Sequence, residues 1–257
     1  MIMRLSIVVP CYNEEPVLQE TTVRLSAVLD SLVEKRKISS DSFILYINDG
    51  SRDMTWTIIE SLHDRNSYVK GLNLAGNVGH QNALMAGLMT AKGYADVLIS
   101  IDADLQDDVS VIEEMVDRYK EGYDIVYGVR SSRDSDTFFK KNTALAFYKL
   151  MSWLGVKSVY NHADYRLMSR RAVEQLGNYK ERNLFLRGIV PLIGYETTSV
   201  YYRRSERFAG ESKYPLSKMF NFAIDGITSF SVKPLRLIAS LGFLFLLCSL
   251  VAVVYTL

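Results

Sequence analysis

Short apolar runs alternate with amphipathic stretches along the first 130 residues. LSIVV (Leu5–Val9), FILYI (Phe43–Ile47), VKGLNL (Val69–Leu74), DVLISI (Asp96–Ile101) and DIVYGV (Asp124–Val129) have the length and bulk of buried strands. After the first of them, Val17, Leu18, Leu25, Val28, Leu29 and Leu32 recur at helical spacing. This alternation predicts βαβ crossovers and a mostly parallel sheet flanked by helices, an α/β fold. Ligands of such sheets bind beyond the carboxyl ends of the strands. The pattern from 131 to 214 is less regular. It predicts a helix over Lys140–Leu154, a short strand at Arg166–Met168, a helix from Ser169 and a strand near Thr197–Arg203. Over Pro215–Phe230, the residues Leu216, Met219, Phe220, Ala223, Ile224, Ile227 and Phe230 share one helical face, with Lys213 and Lys218 beside it. That is the pattern of a helix lying in a membrane interface or, alternatively, of an amphipathic helix packed on the domain.

The final run, LIASLGFLFLLCSLVAVVYTL, is uncharged over 21 residues. As a helix it spans about 31 Å, close to the thickness of a bilayer's hydrocarbon core, so a transmembrane segment is expected. Lys233 and Arg236 precede it, which by the positive-inside rule keeps the preceding domain cytoplasmic, on an inner or plasma membrane. Met1–Pro10 reads as a strand, not as a signal peptide. With no polar flank after Leu257, the expectation is a truncated end with further membrane segments beyond it. The organisation expected is therefore a cytoplasmic α/β domain over 1–214, interfacial helices over 215–234 and a membrane segment over 235–257.

Charge adds a division that hydropathy does not show. The chain has 257 residues, 48% hydrophobic, and a formal net charge of only +1, which by itself suggests no nucleic-acid partner. Yet residues 1–136 hold 13 Lys/Arg against 22 Asp/Glu, a net −9, while 137–236 hold 17 against 7, a net +10. An acidic half is followed by a basic half and an uncharged end. Two cysteines, Cys11 and Cys248, are too few and too far apart for a disulfide framework or a Cys-rich zinc site.

The first four predicted strands are each followed by a polar motif. PCYNEE (Pro10–Glu15) offers a ring and acceptors suited to a nucleobase, or simply a helix cap at Asn13. NDGSRD (Asn48–Asp53) places Asp49 where it could accept from a base N–H, or marks a glycine turn. GNVGHQNALMAG (Gly76–Gly87) is a small-residue loop opening a helix, a place for phosphate or base contact. It lacks both the dinucleotide and the P-loop fingerprints. DADLQDD (Asp102–Asp108) puts two carboxylates at i, i+2 with the Gln106 amide oxygen nearby. That hard-oxygen set suits Mg²⁺ or Mn²⁺ bridging a substrate diphosphate.

Taken together, VVPCYNEE, INDGSRD and DADLQD at this spacing resemble a family-2 glycosyltransferase of the GT-A fold. DYRLMSRRA (Asp164–Ala172), RFAGESKY (Arg207–Tyr214) and the apolar end narrow the likeness to the polyprenyl-phosphate glycosyltransferases. That group includes bactoprenol glucosyltransferases and dolichol-phosphate mannose synthases. The resemblance implies that Pro10, Tyr12, Glu14 and Asp49 hold the nucleotide and that Asp102, Asp104 and Gln106 coordinate the metal. It further implies that Arg207 and Lys213 reach phosphates of donor or acceptor. Arg130, Arg133, Arg166 and Arg170 would lie near the lipid phosphate, with Asp164 as base or orienting residue. His80 stands where several relatives carry Lys or Arg. The partners implied are a nucleotide sugar, a UDP-sugar being favoured over GDP-mannose, a polyprenyl phosphate and a membrane; a homo-oligomer is compatible. A processive polysaccharide synthase would carry Q-x-x-R-W, and no Arg-Trp pair exists here. The remaining alternatives are a membrane-tethered binding module without catalysis and a soluble transferase with its last helix buried.

Overall fold

The computed structural model describes residues 2–131, 162–180, 185–204 and 233–256. It divides into two compact units. One comprises Met1–Asp134 with Asn161–Ser212; the other comprises Ser135–Tyr160 with Lys213–Leu257.

In the first unit the apolar runs form strands, and those in the sheet interior are buried on both faces, as a parallel sheet requires, while the edge strand Val69–Asn73 is largely exposed. β1 (Leu5–Cys11) and β2 (Phe43–Asn48) are buried at every position. β3 (Val69–Asn73) pairs parallel to β2, and β4 (Val97–Ser100) pairs parallel to β1. The first four strands are connected through α1 (Leu18–Glu34), α2 (Thr55–Arg65) and α3 (His80–Ala91). On α1, Leu18, Thr21, Thr22, Leu25, Leu29 and Leu32 face inward, a stripe at i, i+3/i+4 spacing. Helix α3 lies close on the sheet because Gly87 has no side chain. A Cβ there would come within 2.5 Å of Ile47 Cδ1 and 2.7 Å of Val8 Cγ1.

The rest of the sheet departs from simple parallel winding. α4 (Ile112–Lys120) leads to β5 (Ile125–Arg130), and β6 (His162–Ser169) then inserts between β4 and β5, antiparallel to both. After α5 (Arg170–Leu176) and the four-residue α6 (Leu186–Ile189), β7 (Thr197–Tyr202) pairs parallel to β5. The order is β3-β2-β1-β4-β6-β5-β7. Sequence alone suggests only three residues of strand at β6, whereas the strand has eight. Its apolar pattern is broken by Asp164 and Arg166, which are both buried and paired with each other, so hydropathy hides the strand.

In the second unit the described residues form α7 (Lys233–Thr256). Ile238–Thr256 is long and apolar enough to cross a membrane by length and composition, and its side chains are exposed. The helices expected over 140–154 and 215–230 lie outside the described residues.

Candidate active site

The carboxyl ends of β1 and β2 are laced together by side chain to backbone hydrogen bonds. The Asn13 N–H donates to Ser51 Oγ (3.0 Å), the Glu14 N–H to Thr55 Oγ1 (2.9 Å) and the Arg52 N–H to Asn13 Oδ1 (2.8 Å). Asn13 has φ of 54°, a left-handed conformation that asparagine tolerates better than most residues. Pro10 is buried within β1, and Tyr12 and Glu14 are half-buried just past its end. Asp49, 3% exposed, accepts from the N–H groups of Val78 (2.7 Å) and Gly79 (3.0 Å). Its carboxylate thus fixes the loop that opens α3. Gly50 is required there: its φ is +63°, and a Cβ would meet the Asn77 nitrogen at 2.5 Å.

Beyond β4, the DADLQDD segment turns through Leu105, whose φ of 57° is costly for a leucine. The Thr21 hydroxyl of α1 holds this turn by donating to the Ala103 carbonyl (2.8 Å). The four aspartates separate by role. Asp108 accepts from Ser110 N–H and caps the following turn. Asp107 is buried and receives Arg130 Nη2 (3.1 Å) and the Tyr202 hydroxyl (2.5 Å). Asp104 is 8% exposed and accepts from Gln106 N–H (3.1 Å). Asp102 is half-buried, with its side chain 38% exposed. Desolvation pushes the Asp102 carboxyl up to about 6; His80 opposes the rise, and Asp107, Asp164 and Asp104 add to it.

Asp102 and Asp104 offer hard oxygens in a site that carries surplus negative charge, which fits a divalent cation. Among the described residues, no group of three or more His, Cys, Asp or Glu could hold an ion by itself. The pair therefore suits an ion whose remaining ligands come from substrate. The Gln106 amide oxygen accepts from Arg204 Nη2.

Because β6 runs antiparallel to β4, its start lies beside the end of β4; Ser100 is in register with Arg166. The Ser100 hydroxyl donates to the Asp164 carbonyl (2.5 Å). Topology thereby brings Asp164 to the aspartate loop. Asp164, 7% exposed, receives Arg166 Nη2 (2.5 Å), Gln81 Nε2 (3.1 Å) and both Nε and Nη2 of Arg187 (3.3 Å each). His80 Nε2 stands 3.6 Å from both Asp164 Oδ2 and Asp102 Oδ1, between the two carboxylates. Burial disfavours a charged Asp164. Arg187, followed by His80 and Arg166, outweighs that effect and holds the carboxyl well below the usual carboxylate range. Burial likewise opposes a charged His80, yet Asp164 and Asp102 raise it to about 9.

The arginines expected near an acceptor phosphate go to different places. Arg130, at the end of β5, pairs with Asp107. Arg166 is 1% exposed and spends its guanidinium on Asp164 and on the Leu186 carbonyl (3.4 Å). Arg170 pairs with Asp96 at the opposite end of β4, away from the aspartate loop. Arg133, Arg207 and Lys213 lie outside the described residues. Two cations not singled out from sequence, Arg187 and Arg204, sit at the site. No local motif marks either, because each is brought in by tertiary packing.

Comparison with known proteins places the chain in a family. The family model described as Glycosyl transferase family 2 matches residues 6–177. An uncharacterized glycosyltransferase of Bacillus subtilis (strain 168), YkoT, is 58% identical over 248 residues, covering 96% of this chain and 74% of the relative. A bactoprenol glucosyl transferase of Shigella phage SfV is 40% identical over 254 residues, covering 95% and 79%. The fold is similar to that of glucosyl-3-phosphoglycerate synthase from Mycobacterium tuberculosis, crystallised with Mn²⁺, UDP and phosphoglyceric acid. There the TM-score is 0.54 at 16% identity, over 86% of this chain and 75% of the other. The sheet with its laced strand ends, the family match over most of the first unit and these identities lead to one conclusion: the chain belongs to glycosyl transferase family 2 and is a glycosyltransferase of GT-A fold.

Proposed function

We propose that the chain transfers a hexose from a nucleotide sugar, UDP-glucose or a similar UDP-hexose, to polyprenyl (undecaprenyl) phosphate. The product is a lipid-linked sugar for modification of cell-surface glycans. One observation carries the reading: beyond the carboxyl end of β4, His80 stands between Asp102 and Asp164 and Arg187 pairs with Asp164, in a chain 40% identical to a bactoprenol glucosyl transferase.

Tyr12 and Glu14, beyond Pro10, line the nucleotide side, and Asp49 shapes the loop beside it. Asp102 and Asp104 would hold Mg²⁺ or Mn²⁺, which when bound supplies positive charge for the diphosphate leaving group. An acceptor phosphate oxygen attacks the anomeric carbon as the bond to the diphosphate breaks, so a single displacement inverts that carbon. A phosphate monoester is largely dianionic near neutral pH, its second pKa being about 6. No proton has to be removed from it. Asp164, held ionised by its cationic neighbours, is a weak base and instead orients Arg187 and His80. Arg207 and Lys213, in the R-x-x-G-x-S-K pattern, would meet phosphates from the basic half of the chain. The helix α7 would anchor the enzyme, with Lys233 and Arg236 keeping the catalytic part cytoplasmic.

The test is a panel of radiolabelled UDP- and GDP-sugars with Mg²⁺ or Mn²⁺ and either undecaprenyl phosphate or 3-phosphoglycerate. A UDP-hexose with undecaprenyl phosphate should give label in the organic extract. Label from GDP-mannose would change the donor. Label only in 3-phosphoglycerate, or no lipid-linked product from any donor, would overturn the reading.

A further inference from the structure

One short segment reaches both sides of the site. The Asp49 carboxylate accepts from the N–H groups of Val78 (2.7 Å) and Gly79 (3.0 Å), and the Asn77 side chain donates to the Asp49 carbonyl (3.0 Å). Gly79, at φ of 87°, then turns the backbone into α3. The Asn82 side chain braces this turn by donating to the Val78 carbonyl (2.8 Å). The first two residues of α3 carry their side chains to the other side. His80 stands between Asp102 and Asp164, and Gln81 meets both Asp164 and the start of α6.

Gln81 is held at both ends of its carboxamide. A carboxylate only accepts and a backbone N–H only donates, so the two contacts fix which end is which. Nε2 donates to Asp164 Oδ2 (3.1 Å), and Oε1 accepts from the Leu186 N–H (3.3 Å). Among the described residues, Gln81 is the one neutral donor to that carboxylate, beside Arg166, Arg187 and His80. The two oxygens are served differently. Oδ1 receives Arg166 Nη2 (2.5 Å) and Arg187 Nε (3.3 Å). At Oδ2 the Gln81 contact is the shortest, ahead of Arg187 Nη2 (3.3 Å) and His80 Nε2 (3.6 Å). Charge attraction falls off slowly with distance, so cations keep Asp164 ionised from a range of positions. A hydrogen bond weakens steeply with distance and angle, so the amide sets where Oδ2 lies relative to α3. Leu186, Gly188 and Ile189 are buried, which fixes the far end of the amide on a segment packed in the core.

We infer that Gln81 is a positioning residue of the transfer reaction, its carboxamide holding Asp164 Oδ2 and the start of α6 in register with the loop that Asp49 fixes. It acts through Asp164, which orients Arg187 and His80, and not on substrate. The assignment rests on the function proposed above, in which the acceptor phosphate arrives on the Asp164 side. It adds the residue that aligns that side with the nucleotide side.

The experiment measures initial rates for the full chain in detergent, varying undecaprenyl phosphate and UDP-glucose independently, with Gln81→Met and Gln81→Glu beside the unaltered protein. Gln81→Met is unbranched and of similar length but donates nothing. Gln81→Glu keeps an acceptor for the Leu186 N–H and sets a second carboxylate against Asp164. Both variants should lose about ten- to a hundredfold in kcat/KM for undecaprenyl phosphate, with Gln81→Glu the lower of the two. The donor KM should stay within about twofold, with UDP binding and thermal melts close to those of the unaltered protein. Should Gln81→Met lose stability, Gln81→Glu, which keeps the Leu186 bond, decides alone. Folded variants whose acceptor kcat/KM stays within about twofold of the unaltered protein overturn the assignment, as does a donor KM that rises in step with the acceptor loss. Full activity in Gln81→Glu with loss in Gln81→Met overturns it too, since the Leu186 bond alone would then explain the loss. If the unaltered protein makes no lipid-linked sugar, the function fails first and the assignment with it. If it does and both variants match it, the assignment alone fails.

Discussion

The two sides of the site are built on opposite plans. On the nucleotide side, the ends of β1 and β2 hold their loops by side chains accepting from, or donating to, nearby backbone groups, with partners inside short motifs. On the other side, Asp164 is held by side chains from α3, β6 and α6, whose sequence positions span more than 100 residues. Neutral backbone donors hold a carboxylate in place while leaving the site its negative charge. Three cationic side chains around Asp164 cancel its charge and make it part of the core. The first arrangement suits a cation and a diphosphate; the second suits an incoming anion.

The sharpest way to break that contrast is to remove one carboxylate from each side. Asp164→Asn leaves Arg166, 1% exposed, without its counter-charge. It should cost about 3–5 kcal/mol of stability in a denaturant melt, with activity lost as well. Adding Arg166→Met to that variant should restore part of the stability, since an apolar replacement removes the stranded charge. Asp104→Ala, by contrast, should lower metal-dependent turnover by about 10²–10³-fold with little change in melting. Turnover unchanged in Asp104→Ala would remove the metal assignment, and a melt unchanged in Asp164→Asn would remove the buried-pair account.

Smaller changes sharpen the same comparison. Gly50→Ala puts a Cβ against the Asn77 nitrogen at a positive φ. It should cost about 1–3 kcal/mol and raise the donor KM more than the acceptor KM, because the Asp49–Val78 loop shifts. At the far end of the sheet, Asp124 is held below its ordinary 3.8, chiefly by hydrogen bonds from Arg171, with Ser169 adding to them against burial. A depressed folded-state pKa contributes stability above the ordinary value, lost as pH falls through the lower one. Asp124→Asn should therefore cost about 1–2 kcal/mol at neutral pH and flatten the acid side of the stability curve, with kinetics unaffected.

What could be read in the sequence follows the same divide. The strands β1, β2, β3, β4 and β5 lie within two residues of their expected bounds; all but the edge strand β3 are buried on both faces, which makes them continuous apolar runs. The nucleotide and aspartate motifs stand where expected because parallel strands deliver their ends to one edge. β6 was legible only in part: its Asp164–Arg166 pair looks solvated in sequence and is buried in the fold. Arg166 and Arg170 share the DYRLMSRRA motif, yet one ends in the core and the other at the far edge. Arg187 carries no motif at all; its place depends on Gln81, 105 residues distant from Leu186 in sequence, and on the antiparallel insertion of β6.

The most direct measurement is incorporation of labelled glucose from UDP-glucose into organic-extractable material by the purified chain with undecaprenyl phosphate, with and without EDTA. Label should require the acceptor lipid and the divalent cation and should disappear in Asp104→Ala. No extractable label, or label unaffected by both EDTA and Asp104→Ala, would contradict the proposed function.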